Sequence, residues 1–288
     1  MRLVTSNTRC AVVLLVAVGT ASALVRAQTQ QDRTQDKVAF PAHTIIGNLH
    51  YVGTATLNSY LFTTPQGHIL INTNYEDTVP LLRASVQKLG FTLNDIKIIL
   101  GSHAHPDHQQ ADAMLKELTG GATVMAMEQD IPALKATKAP SGKTYSADRV
   151  LKDGEQVSIG GTTLTAHLTP GHTRGCTTWT ARIADGGRTY NVLIACAGLQ
   201  GNAQLVNNKN YPEIAEDFAR SINTFKSLPV DIFLGAHSWF FDLAGKHKRL
   251  GSATNPYIDP SGYTAWVDTM EKSYHTTLAE QKKTRPTP

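Results

Sequence analysis

Apolar and polar positions fall in short blocks along the first hundred or so residues, and the period changes between blocks. Runs at 44–46, 50–52, 59–62 and 68–71 are short and rich in Ile, Val, Leu, Tyr and Phe, which predicts strands. Over 78–89 the apolar residues Val79, Leu82, Val86 and Leu89 recur at helical spacing, and Gly90 supplies a stop. The run Ile96-Lys97-Ile98-Ile99-Leu100 predicts a buried strand. A helix over 111–119, with Met114, Leu115 and Leu118 inward, and a strand at 124–127 follow. The second half repeats the theme, with strands near 157–159, 163–168, 177–183 and 192–196. A long helix over about 212–228, a strand at 231–234 and a last helix over about 261–280 complete the pattern. On that last helix Tyr263, Trp266, Met270 and Tyr274 form a stripe that reads as core contact. Strands then helices, twice over, predict an α/β (α+β) fold of two packed mixed sheets with helices on the outer faces.

The ends carry other signals. Arg2 and Arg9 form a basic region ahead of the apolar stretch 10–19, and Ala21-Ser22-Ala23 and Val25-Arg26-Ala27 are small-residue cleavage candidates. This order predicts a secretory signal peptide over 1–27, too short for a membrane span. The remaining residues, 28–288, suit one large domain, with 28–38 and 282–288 expected to be flexible. Removing Arg2, Arg9 and Arg26 reduces the 27 basic residues to 24 against 23 acidic ones, so the net charge drops from +4 to +1. A nucleic-acid surface is therefore not expected, nor a membrane partner after cleavage. Cys10 leaves with the leader, and Cys176 and Cys196 remain as a candidate disulfide pair in an oxidising compartment. The expected location is periplasmic or secreted, and the expected state is a monomer.

Directly after the strand 96–100 comes Ser102-His103-Ala104-His105-Pro106-Asp107-His108. Only 11 of the 288 residues are His, so this concentration of imidazole and carboxylate is not an ordinary polar loop. Both groups suit zinc, and so short a loop serves two neighbouring ions more easily than one. His103 and His105 would face one ion, Asp107 and His108 the other. His172, in Pro170-Gly171-His172-Thr173-Arg174-Gly175, and His237, in Gly235-Ala236-His237, each follow a strand-like run. Residues at strand ends collect at one edge of a layered fold, where sites form. Gly142-Lys143-Thr144 ends like a phosphate loop, but Thr137 stands where such a loop needs Gly.

His103-x-His105-x-Asp107-His108, Gly171-His172-Thr173-x-Gly175 and Gly235-Ala236-His237 together resemble the metallo-β-lactamase superfamily, and most closely its subclass B3. The resemblance runs from about Ile45 to the last helix, and His108 carries the subclass. It implies a four-layer αβ/βα sandwich and two Zn2+ per chain. One ion would take His103, His105 and His172, the other Asp107, His108 and His237, with a shared hydroxide. It further implies zinc-dependent hydrolysis of the β-lactam amide bond, with Asp107 also acting on the hydroxide and a small β-lactam as partner.

Rival readings are a lactonase, thioesterase or phosphodiesterase of the same superfamily and a non-enzymatic zinc-binding periplasmic protein. Those hydrolases commonly carry a bridging Asp after the strand that here ends at Cys196, and Ala197-Gly198-Leu199-Gln200 offers none. A structural zinc needs only four ligands, which disfavours the non-enzymatic reading. Cys196 as a fifth protein ligand is disfavoured for the same reason. The Ser-x-Ser segment that the subclass commonly uses for the substrate carboxylate is absent, leaving Gln200, Asn202 and Ser238 as substrate-binding candidates. Gln109-Gln110 stands where many relatives carry small residues, and is expected to add bulk beside the metals.

Overall fold

The structure is a computed structural model and describes residues 34–284; the expected leader 1–27, residues 28–33 of the arm and residues 285–288 of the tail lie outside them. Two mixed sheets form. The first has seven strands in sequence order: β1 (His43–Ile46), β2 (Leu49–Tyr51), β3 (Tyr60–Phe62), β4 (His68–Ile71), β5 (Ile96–Leu100), β6 (Thr123–Met127) and β7 (Arg149–Leu151). Its first four strands pair antiparallel, and β4 to β7 pair parallel. The second sheet runs β12-β11-β10-β9-β8, built from β8 (Gln156–Ile159), β9 (Thr162–Leu168), β10 (Thr177–Asp185), β11 (Arg188–Ala195) and β12 (Ile232–Gly235). Only its β11–β12 pair is parallel.

Strand alternation separates the cores. Tyr60 and Phe62, Ile69 and Ile71, and Ile98 and Leu100 point into the cluster shared with the second sheet. Their neighbours Leu61, Leu70 and Ile99 point the other way, onto helix α1 (Val79–Lys88) and its surroundings. Helix α1 buries Val79, Leu82 and Val86, as its spacing predicts. Two further helices on this side, α2 (Pro106–Gln109) and α3 (Asp112–Leu118), come before α4 (Ile131–Ala136). On the second sheet's side, α5 (Ile214–Ser227) buries Phe218, Ile222 and Phe225. After α6 (Leu243–Lys248), α7 (Pro260–Thr284) packs on α5 and β12. The result is the expected sandwich of helices, two mixed sheets, and helices again. Among the described residues no helix is long and apolar enough to cross a membrane.

Several short elements escape the periodicity. Helix α2 lies within the His-rich segment, and β7 and α6 offer too few residues for a period to show. Strands β10 and β11 also run closer together than the apolar runs imply. Their hairpin closes between Asp185 and Arg188, across Gly186 and Gly187, both at positive φ. Residues 282–284, expected to be flexible, continue α7.

Candidate metal centre

Three strand ends deliver the histidines to one edge. Strand β5 leads into residues 101–108, β9 leads into the turn bearing His172, and β12 leads into His237. Nε2 of His172 lies 3.1 Å from Nε2 of His103 and 3.2 Å from Nδ1 of His105. Beside them, Nε2 of His108 lies 3.2 Å from both Nε2 of His237 and Oδ2 of Asp107. The same Asp107 oxygen is 3.7 Å from Nε2 of His237. All six residues that the sequence singles out as ligands therefore meet in two adjoining groups.

Burial sets their charge. It drives His103 well below the usual imidazole range, and His108, His172, His105 and His237 push the same way. Burial, then His105 and His108, lowers His172 to about 3. Burial and His108 likewise lower His237 to about 3, against the pull of Asp107. Burial alone would keep a proton on Asp107, but His108, His237 and His105 hold its carboxyl far below the ordinary range. His103, His172 and His237 are thus held as neutral imidazoles beside an ionised carboxylate, the protonation that divalent metals require of such ligands.

The same geometry supplies a test of fit. Tetrahedral ligands about 2.0–2.1 Å from a zinc ion stand roughly 3.3 Å apart. The nitrogens of His103, His105 and His172 approach that spacing. A neutral imidazole has one donor and one acceptor nitrogen, so three convergent ring nitrogens do not satisfy one another. A cation at their focus does. The residues present therefore fit zinc.

The backbone that aims these rings is held by groups the sequence did not reveal. Oδ2 of Asp130 accepts hydrogen bonds from the Ala104 N–H (2.9 Å) and the Thr173 hydroxyl (2.8 Å), while Oδ1 accepts from the Gly175 N–H (2.7 Å). One buried carboxylate thus staples the His103 loop to the His172 turn. A Cβ on Gly175 would sit 2.5 Å from the Asp130 nitrogen, so only glycine permits this approach. From the other side, the Ser102 N–H donates to Asn72 Oδ1 (2.8 Å), and Trp179 Nε1 donates to the Gly101 carbonyl (3.0 Å). Asn72 has φ of 63°, a left-handed conformation that Asn tolerates. The pair Asn72 and Asn74 at the end of β4 was the available hint. The third loop is tied across the sandwich: Leu57 bridges His237, and Asn58 Nδ2 and Tyr60 Oη both donate to the Gly235 carbonyl at 2.7 Å.

The remaining candidates separate. Gln200 lines a cavity of about 380 Å³ that also touches His172 and His237, whereas Asn202 and Ser238 do not line it. Gln109 adds no bulk toward the metals. Its side chain is buried, folds under Gly101 where a Cβ would collide with it, and donates to Asp112 Oδ2 at 2.9 Å. Trp266 and Met270, read as core contacts, also border the cavity. Cys176 and Cys196 are joined, with Cα atoms 5.8 Å apart. Cys196 Sγ lies 3.5 Å from His103 Nδ1, the ring nitrogen that does not face the other ligands.

A two-sheet sandwich with a histidine-rich centre at one edge defines a metallo-hydrolase of the β-lactamase type. The profile of the metallo-beta-lactamase superfamily matches residues 53–185. The native FEZ-1 metallo-beta-lactamase of Legionella gormanii superposes with a TM-score of 0.81 at 43% identity, covering 85% of this chain and 98% of that one. The class B3 di-zinc metallo-beta-lactamase LRA-12 from an Alaskan soil metagenome gives 0.76 at 33% identity, covering 85% and 96%. A hydroxyacylglutathione hydrolase of Hyphomonas neptunium is 35% identical over 92 residues, 32% of this chain and only 30% of that protein's length. The chain belongs to the metallo-β-lactamase superfamily and, within it, to the subclass B3 metallo-β-lactamases.

Two predictions concern the scaffold of the centre. Replacing Asp130→Ala removes the staple while leaving all six ligands, and zinc affinity should fall about 10–100-fold, as for other groups that orient ligands. Competition against a chromogenic chelator measures it; an unchanged affinity would show that the loops hold without Asp130. Asp112, buried beneath the loop, accepts from Thr73 Oγ1 (2.7 Å) and Gln109 Nε2 (2.9 Å), and burial raises its pKa to about 7. The folded state then keeps a proton that the unfolded state releases between 3.8 and about 7, so this group's contribution to stability falls as pH rises through that window. Urea unfolding of wild type and Asp112→Asn in chelator should differ in slope by up to about 1.4 kcal/mol per pH unit, and the difference should vanish above the window.

Proposed function

We propose that this protein hydrolyses the amide bond of β-lactams with two zinc ions and so confers antibiotic resistance. The observation that carries the reading is the convergence of two three-donor groups beside a cavity of substrate size. His103, His105 and His172 would hold one ion, and Asp107, His108 and His237 the other. When bound, such a pair supplies a water nucleophile at neutral pH and relieves charge on the carbonyl oxygen and the departing nitrogen. The ionised Asp107 carboxylate, set between the two groups, can both ligate and accept a hydrogen bond from the attacking water. Ala197, Gly198, Leu199 and Gln200 line the cavity and place no carboxylate there, which supports a β-lactam over the thioester and lactone chemistry of other superfamily members. The partial match to a hydroxyacylglutathione hydrolase keeps thioester hydrolysis as the second reading. The non-enzymatic alternative predicts no turnover at all.

Gln200 would hold the substrate carboxylate in the absence of Ser-x-Ser, a role supported by its place in the cavity lining, which does not include Asn202 or Ser238. The purified protein should bind two zinc ions and hydrolyse penicillins, cephalosporins or carbapenems, losing activity with chelator and regaining it with zinc. Gln200→Ala should raise KM and leave metal content unchanged, because contacts to a remote carboxylate are lost equally from ground and transition states. Ready cleavage of thioesters or lactones with none of β-lactams would reject the reading.

The same reading places the protein, as a monomer, in the periplasm or outside the cell, after cleavage following Ala23 or Ala27. There Cys176 and Cys196 would persist as a disulfide. Intact-mass measurement on the exported protein checks both: the N-terminus should be Leu24 or Gln28, and denaturation without reductant should expose no reactive thiol. An uncleaved Met1 or two free thiols would contradict it.

A further inference from the structure

Trp239 is the most exposed large hydrophobic side chain among the described residues, at 63%. The other exposed ones, Val38, Leu118 and Val150, are ordinary single surface positions. Trp239 is different because it is held. It follows β12 on the turn Ser238–Phe240, and its ring stacks on His237 with centroids 4.2 Å apart and planes at 14°. Phe240 meets its edge at 5.9 Å and 89°, and itself packs on Trp266 at 5.8 Å. Trp266 rests on the buried rings of Phe233 (4.9 Å) and Phe225 (5.2 Å). The indole is therefore the outer end of an aromatic wall rooted in the core.

That wall borders the cavity that contains His172 and His237, and Gln200, Thr269 and Ser273 supply polar groups around it. An indole fixed on one face and open to water on the rest offers a preformed stacking surface. Aromatic pairs prefer offset or edge-to-face contact with centroids about 4.5–7 Å apart, and gain beyond simple burial. Among the described residues, the rings against the indole are those of His237 and Phe240.

We infer that Trp239 is a stacking platform beside the reacting centre, selecting substrates whose acylamino side chain ends in an aromatic ring. This names a substrate class for the proposed hydrolysis and rests on that reading for the bond that is cut. Trp239 is a positioning and specificity residue here, not a metal ligand.

The test has one arm with turnover and one without. In the first, zinc-loaded wild type, Trp239→Ala and Trp239→Phe are assayed on a penicillin nucleus bearing a phenylacetamido group and on the same nucleus bearing a formamido group. Trp239→Ala should lower kcat/KM for the phenylacetamido substrate about three- to tenfold more than for the other, mainly through KM, and Trp239→Phe should restore most of the preference. Metal content is measured on each variant. If Trp239→Ala loses metal and slows both substrates equally, the indole merely supports His237 and the inference fails.

In the second arm, chelator-treated protein is titrated with N-phenylacetylglycine and N-acetylglycine by ligand-observed NMR. Wild type should bind the phenylacetyl probe about three- to tenfold more tightly, and Trp239→Ala should abolish that preference. No preference in wild type, or one that survives Trp239→Ala, overturns the platform. If aryl binding depends on Trp239 but no β-lactam is hydrolysed, the proposed function fails and the platform stands.

Discussion

The centre depends on a constraint that no single ligand can meet. Three loops from two different sheets must bring their ring nitrogens together in two adjoining groups. Asp130 meets the constraint for two of them by accepting from Ala104, Thr173 and Gly175 at once. Its burial raises the carboxyl's pKa, while those hydrogen bonds oppose the rise. The third loop is fixed through Leu57 and Asn58, so the first sheet itself holds His237 in place.

Electrostatics follow from that packing. Crowding several imidazoles in a dry edge disfavours their charged forms and leaves lone pairs free to coordinate. Asp107, hydrogen-bonded to His108 among these rings, is held ionised.

Around the centre the chain departs from the commoner pattern of its subclass in ways that have separate consequences. Gln109 does not crowd the metals, because Gly101 leaves a space beneath the loop that the amide fills, and the amide donates a hydrogen bond to Asp112. Ser-x-Ser is absent, and the cavity is lined by Gln200, Thr269 and Ser273 together with Trp239, Phe240 and Trp266.

The sequence by itself determined the fold class, most strand and helix positions, and all six candidate ligands. Those signals are local: apolar period decides which face is buried, and ligand-type side chains clustered after strands mark an edge. Cys176 and Cys196 were legible as a pair because few cysteines remain. What the tertiary structure decided depends on contacts between distant residues. Asp130 looks like any acidic residue until Gly175, 45 positions away in sequence, donates to it. Gln109 reads as bulk at the metals until its rotamer is seen to turn under Gly101. Trp266 and Met270 carry a core-like spacing on α7 and do pack with the core, yet they also line the cavity. Periodicity reports which way a side chain faces, but only packing fixes what it meets there.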